Sequence, residues 1–175
     1  GSNQGETNYR RPEVVEWHRT MGREIKAMDP YDHLIGTHVS GDFTKQNTEI
    51  ISLPEMDYCP IDAYHHHSDP TFIVDLMHRT AEFNSAYKKP VLITEFGGSP
   101  MAAHVKHLED ALHAGIWGST CIPLGGTPMF WWWQIIEEEN FYPRFQAVSR
   151  FTKGEDRRDP SLKMTWPEVV MDPLK

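Results

Sequence analysis

Apolar positions along the chain recur with two periods. After Pro12, the residues Val14, Trp17, Met21, Ile25 and Met28 return every three or four positions, which predicts a helix opened by a proline in its first turn and stopped at Asp29-Pro30. Leu34 to Ser40 predicts a strand, Gly41-Asp42 a turn, and Phe43 to Leu53 a short irregular helix ended by Pro54. Met56 to His67 reads as a second strand with its exit loop. Asp69-Pro70 then starts a helix whose stripe is Phe72, Leu76, Phe83 and Tyr87. The run from Lys89 to Thr94 is short, apolar and partly β-branched, the pattern of a strand buried on both faces, and it ends in a lone carboxylate, Glu95, followed by Gly97-Gly98. Ser99-Pro100 opens a helix with Val105, Leu108 and Leu112 on its buried face, ending at Gly115 or continuing past a kink to Ile122. Gly125 to Pro128 is a turn, Met129 to Trp133 a fourth strand, and Phe141, Phe145, Val148 and Phe151 mark a last helix closing at Gly154.

A helix followed by four strand-helix units implies an α/β fold with a parallel sheet. Residues 12–154 carry this pattern, behind a polar lead at 1–11 and ahead of a weakly periodic C-terminal extension at 155–175. A complete eight-stranded barrel needs about 250 residues, so four units amount to half of a TIM (β/α)8 barrel. A small doubly wound nucleotide-binding sheet is the competing topology, but no glycine-rich phosphate loop follows the first strand. Half a barrel leaves two open sheet edges and a bare interior face. The expectation is therefore a partner, either the missing N-terminal half-barrel or a second copy in a homo-oligomer.

Charge narrows the ligands. A formal net charge of −8 in 175 residues disfavours nucleic acid and anionic membrane surfaces, which call for clustered Lys and Arg. The longest apolar run, Met129 to Trp133, is far too short to span a bilayer. Gly1-Ser2 reads as a cloning remnant and leaves an upstream export signal open; with one, the full-length protein would be secreted or periplasmic. Cys59 and Cys121 have no metal-ligand spacing and make no disulfide framework.

The chemistry gathers at strand ends. In a parallel α/β architecture the carboxyl ends of the strands carry the active site, which gives Glu95 a functional reading beside the plainer one of a loop hydrogen-bond acceptor. On the preceding strand a period of two puts Asp62, Tyr64 and His66 on one face and His65 and His67 on the other. The triplet His65-His66-His67 invites a zinc site, but adjacent strand residues point apart, and His104 and His107 are better explained as an exposed helix face. No metal and no cofactor is expected. Tyr64 and His66 instead suit hydrogen bonding to a carboxylate or a sugar hydroxyl. Trp131 and Trp133 share a face of the last predicted strand, where an indole either fills the core or offers a flat surface for a sugar ring. With His38 on the first strand, the expected substrate-binding set is His38, Tyr64, His66, Trp131 and Trp133. Glu137-Glu138-Glu139 reads as a solvated acidic loop.

Pro90-Val91-Leu92-Ile93-Thr94-Glu95-Phe96-Gly97 and Gly126-Thr127-Pro128-Met129-Phe130-Trp131-Trp132-Trp133 resemble the seventh and eighth strands of clan A glycoside hydrolases, the retaining (β/α)8 barrels, most closely the family 5-like mannanases and cellulases. Trp17-His18-Arg19 with Asp29-Pro30-Tyr31 resembles that clan's fourth helix, and Leu34 to Ser40 its fifth strand. The resemblance implies Glu95 as the catalytic nucleophile on a β-linked polysaccharide or oligosaccharide, Trp131 or Trp133 lining the subsite beside the scissile bond, and Tyr64 or His66 contacting the nucleophile. Two departures stand out. Asp62-Ala63-Tyr64 replaces the more usual His-x-Tyr, and the clan's acid/base glutamate, preceded by asparagine, is not evident: Asn3-Gln4 carries an amide there and Glu6 follows glycine. A non-catalytic carbohydrate-binding or self-associating half-barrel is the alternative function.

Overall fold

The computed structural model describes residues 11–38, 48–65, 69–98, 104–159, 161–163 and 165. Helix α1 (Pro12–Met28) begins as expected, with Pro12 in its first turn, but the face it buries is Val15, His18 and Gly22 rather than the stripe of larger side chains. Trp17 and Met28 remain 58% and 72% exposed. The reason lies at Gly22, where a β-carbon would come within 2.7 Å of Glu55 Cβ: the missing side chain lets the chain behind it approach on that side. Val15 there packs with Ile50 of the short helix α2 (Thr48–Ile51), Leu53 and Met56. Of the predicted irregular helix, residues 43–47 lie outside the described residues.

The sheet is a parallel pair, β1 (Cys59–Tyr64) and β2 (Val91–Gly97), linked through α3 (Phe72–Asn84). Asp69 Oδ1 accepts from the Thr71 amide at 2.9 Å and its hydroxyl at 2.7 Å, so the Asp-Pro start positions α3 as its sequence suggests. Helix α4 (Val105–Gly118) runs past Gly115 without ending there, α5 spans Trp133–Glu138 and α6 Tyr142–Phe151. One face of the sheet carries Cys59, Ile61 and Ala63 beside Val91, Ile93 and Phe96, and these pack with Ile73 and Met77 of α3 and with Leu108, Leu112 and Ile116 of α4. That is the main core.

Simple alternation along β2 cannot produce this arrangement. Counting by twos from Val91 and Ile93 leads to Glu95, which would drive the carboxylate into the apolar core. The register instead pairs Ile61 with Ile93 and Asp62 with Glu95, so β2 holds one extra residue, Thr94, whose hydroxyl reaches Ile61 O at 3.3 Å. This bulge reverses the phase of the strand. Phe96 turns into the core, fully buried, and Glu95 joins Asp62 on the opposite, open face.

Two predicted strands are not formed as expected. Residues 33–38 run beside β1 as irregular chain, with residues 39–40 outside the described set. Ile35 O accepts from the Asp57 amide at 2.7 Å, but the Ile35 amide is taken by the Asp57 carboxylate, also at 2.7 Å, so a side chain stands where a ladder carbonyl would be. On the other side, residues 125–131 follow β2 through Gly125 N to Val91 O, Met129 N to Ile93 O, Phe96 N to Met129 O and Trp131 N to Phe96 O, yet only one bridge forms, between Phe96 and Phe130. The predicted strand ends early because Trp132, Ile135 and Ile136 pack against the core at helical spacing, which places Trp133 at the start of α5. The described architecture is thus mixed α/β around a two-stranded parallel sheet with a loosely bonded segment on each flank. In the C-terminal extension, Arg157 donates to Ser119 O at 3.1 Å and Ile122 O at 2.9 Å. Among the described residues no helix is long and apolar enough to cross a membrane.

Candidate functional site

The open face of the sheet gathers polar groups at the carboxyl ends of β1 and β2. Register places Asp62 beside Glu95, while the next outward residue on the same face of β1, Tyr64, donates its hydroxyl to Glu95 Oε2 at 3.1 Å. Burial first, and then the charge and hydrogen bond of Glu95, push the Tyr64 hydroxyl well above the ordinary tyrosine range. It is a protonated donor at neutral pH. From the flanking segment His38 reaches in, its Nε2 in direct hydrogen-bond contact with Asp62 Oδ1. Asp62 is buried, with a side chain only 6% exposed, whereas that of His38 is 37% exposed.

His38 is held by what anchors its segment. The Asp57 carboxylate takes Lys26 Nζ at 2.8 Å and the Ile35 amide, and these two bonds, the lysine first, hold its carboxyl below the usual aspartate range. A depressed carboxyl contributes stability that is complete above its ordinary value and is lost as pH falls through the lower, folded-state value. Asp57→Asn is therefore expected to cost about 1–2 kcal/mol at neutral pH. The gap to the parent should shrink below about pH 4, as the parent's own carboxylate is protonated. Urea unfolding at pH 7 and pH 3 measures it; an equal gap at both would mean that the charge is not what fastens the segment.

The aromatic side of the site comes from residues 129–133. The Trp131 ring meets Tyr64 edge-on, 6.4 Å between centroids, and is 44% exposed. Trp133 is 65% exposed but sits one helical position into α5, so the two indoles do not share a strand face. Both still border one apolar cavity of about 870 Å³, together with Thr94, Glu95, Thr127 and Phe145.

Of the expected site residues, the structure brings together Glu95, Tyr64, His38 and Trp131, with Trp133 across the cavity. His66 and His67 lie outside the described residues. His65 is buried, its ring 5.5 Å from Phe72 and 6.2 Å from His107. His104 is exposed and caps α4 by accepting from the Lys106 amide. Glu137 and Glu138 end α5 with Glu139 as its cap, all three exposed, and Glu137 accepts from the Tyr142 hydroxyl at 2.5 Å. Cys59 and Cys121 are free thiols, the first buried and the second exposed.

Asp62 received no role of its own from the sequence, although its place two residues before Tyr64 put it on the correct face. One ligand atom each from His38, Asp62 and Glu95 lies within 4.8 Å of the others, a donor set distinct from the histidine triplet. His38 and Asp62 are already hydrogen-bonded to each other.

No known family description matches the sequence, and no curated protein matches it at a significant level. Among solved structures, the chain is similar to the endo-β-1,4-mannanase from Thermotoga petrophila, with 18% sequence identity and a TM-score of 0.42. The likeness covers 67% of this chain, and the chain spans 30% of that enzyme's length.

Proposed function

We propose that this chain belongs to a retaining glycoside hydrolase acting on a β-linked glycan, mannanase- or cellulase-like, with Glu95 as its nucleophile and β1, β2 and their flanks as the second half of a (β/α)8 barrel. The observation that carries the reading is the Tyr64 hydroxyl on Glu95 Oε2, at the carboxyl end of a parallel strand pair and beside an exposed indole. A neutral donor orients the carboxylate without cancelling its charge, which is what a nucleophile requires. Glu95 attacks the anomeric carbon, the bond to the leaving oxygen breaks as that oxygen takes a proton, and a glycosyl ester forms. Water then attacks the same carbon and frees Glu95. The open flank of residues 125–131 is where a second half-barrel or a second copy would continue the sheet.

An activated 2-fluoro glycoside tests the assignment. A covalent adduct on the peptide containing Glu95 supports it. No adduct after long incubation at high protein concentration, with oligosaccharide still bound, makes the chain a binding module. The aromatic platform has its own test. Trp131→Ala is expected to weaken oligosaccharide binding roughly tenfold, about 1.4 kcal/mol, with a smaller effect on melting temperature because the residue is 44% exposed and outside the main core. Calorimetric titration and a thermal melt separate the two effects: a lowered melting temperature with unchanged binding would make Trp131 a packing residue.

A further inference from the structure

We propose that the groove between α4 and α6 is a second carbohydrate-binding site; the proposal rests on the reading of this chain as part of a glycan-degrading enzyme. The groove encloses about 450 Å³ and shares no lining residue with the cavity beside Glu95. Its shape follows from the two helices. Glu109, His113 and Trp117 stand at four-residue spacing on α4 and so share one of its faces. On α6 the matching positions are Arg144, Ala147 and Phe151. The Arg144 guanidinium fastens one end, bonded to Glu109 Oε1 and donating to His113 Nδ1 at 3.1 Å. At the other end the rings of Trp117 and Phe151 meet, 5.3 Å between centroids. Between these two contacts Ala147 offers only a methyl group, and the gap beside it is the groove.

A sugar ring has an apolar C–H face and a rim of hydroxyls that both donate and accept. The groove presents the same two kinds of surface. Trp117 packs partly against the core and still lines the groove, which gives the C–H face a flat ring to lie on. For the hydroxyls, the Glu109 carboxylate accepts, and the His113 ring, whose Nδ1 is taken by Arg144, keeps Nε2 as a donor. The Asn140 side-chain amide at the rim does both, and it has no partner among the described residues.

Charge selects a neutral ligand. Glu109 is paired with Arg144 and, at 3.5 Å, with Lys106, and Glu139 stands at the rim, so the positive and negative groups balance. An ion of either sign would meet its own charge there as well as the opposite one. A neutral glycan meets neither cost, and the β-linked chain that the cleft would cut is the ligand of that class.

Titration of the full chain with β-1,4-linked manno- and cello-oligosaccharides, followed through the tryptophan indole N–H resonances, tests this. The Trp117 resonance, assigned with Trp117→Phe, is expected to shift to saturation. Ala147→Leu fills the gap from an exposed helical position and is expected to abolish that shift. Asn140→Gly suits the backbone φ of 51° at that residue, removes only the amide, and is expected to weaken binding about fivefold. A Trp117 resonance that no oligosaccharide moves, or one that moves equally in Ala147→Leu, overturns the proposal, as does saturable binding of a peptide and of no sugar. The Trp131 resonance in the same titration reports on the open face of the sheet: a shift at Trp117 alone supports the groove and counts against the cleft, and a shift at Trp131 alone does the reverse.

Discussion

Glu95→Gln is expected to reduce glycoside turnover by about 10⁴-fold or more, the scale of loss when a catalytic nucleophile is removed, while leaving the fold intact. The substitution is nearly isosteric. The amide oxygen still accepts from the Tyr64 hydroxyl, and the side chain is only partly buried on the open face, so no cavity and no orphaned donor result. It also removes one of two carboxylates that the register sets side by side. Stability should therefore hold or rise slightly, as it does where a site is arranged for chemistry at the expense of the fold. Kinetics on unactivated oligosaccharide together with a thermal melt check both halves. Turnover within tenfold of the parent would remove Glu95 from the reaction, and a large drop in melting temperature would make it a structural acceptor.

Phe96→Ala is expected to produce the largest loss of stability, about 3–5 kcal/mol. Phe96 is fully buried, its ring centroid 5.2 Å from that of Phe130, and its edge fills the space above Gly115, where an added β-carbon would come within 2.3 Å of Phe96 Cε2. The ring thus joins β2, α4 and the flanking segment. The loss is a large share of the 5–15 kcal/mol typical of a domain. The midpoint of urea unfolding measures it. A cost under about 1 kcal/mol would mean that the ring is not the keystone of this packing.

Much of this was legible in the residues. The presence of helices α3, α4 and α6, the two central strands and the position of Glu95 near a strand's end follow from periodicity and from the proline and glycine stops, although Phe83, Val105 and Phe151 of the predicted stripes are exposed. What escaped did so for identifiable reasons. The stripe of Trp17, Ile25 and Met28 promised a buried face, but hydrophobic period reports only that a helix has an apolar side, and the packing of α1 was decided by the gap at Gly22. The helical spacing of Trp132, Ile135 and Ile136 was present but overlapped the aromatic run before it. The first predicted strand looked sound at Leu34 to Ser40 because sequence pattern does not show that a carboxylate twenty-two residues on, at Asp57, takes the Ile35 amide. For the site, residue type pointed to Glu95, Tyr64, His38 and Trp131, while the tie between His38 and Asp62 became visible only when the register was known.

The extra residue in β2 has an evolutionary side. Because Thr94 fixes the phase of everything after it, the chemistry of this strand depends on a count of residues as much as on their identity. Point substitution at position 94 keeps the count and leaves Glu95 facing the cleft. An in-frame loss of one codon there would keep Glu95 and Phe96 in the gene yet turn the carboxylate toward the apolar layer and the phenyl ring toward solvent. Descent through this strand is thus tolerant of spelling and intolerant of length, and a lineage could lose the arrangement of this face with all of its residues still encoded.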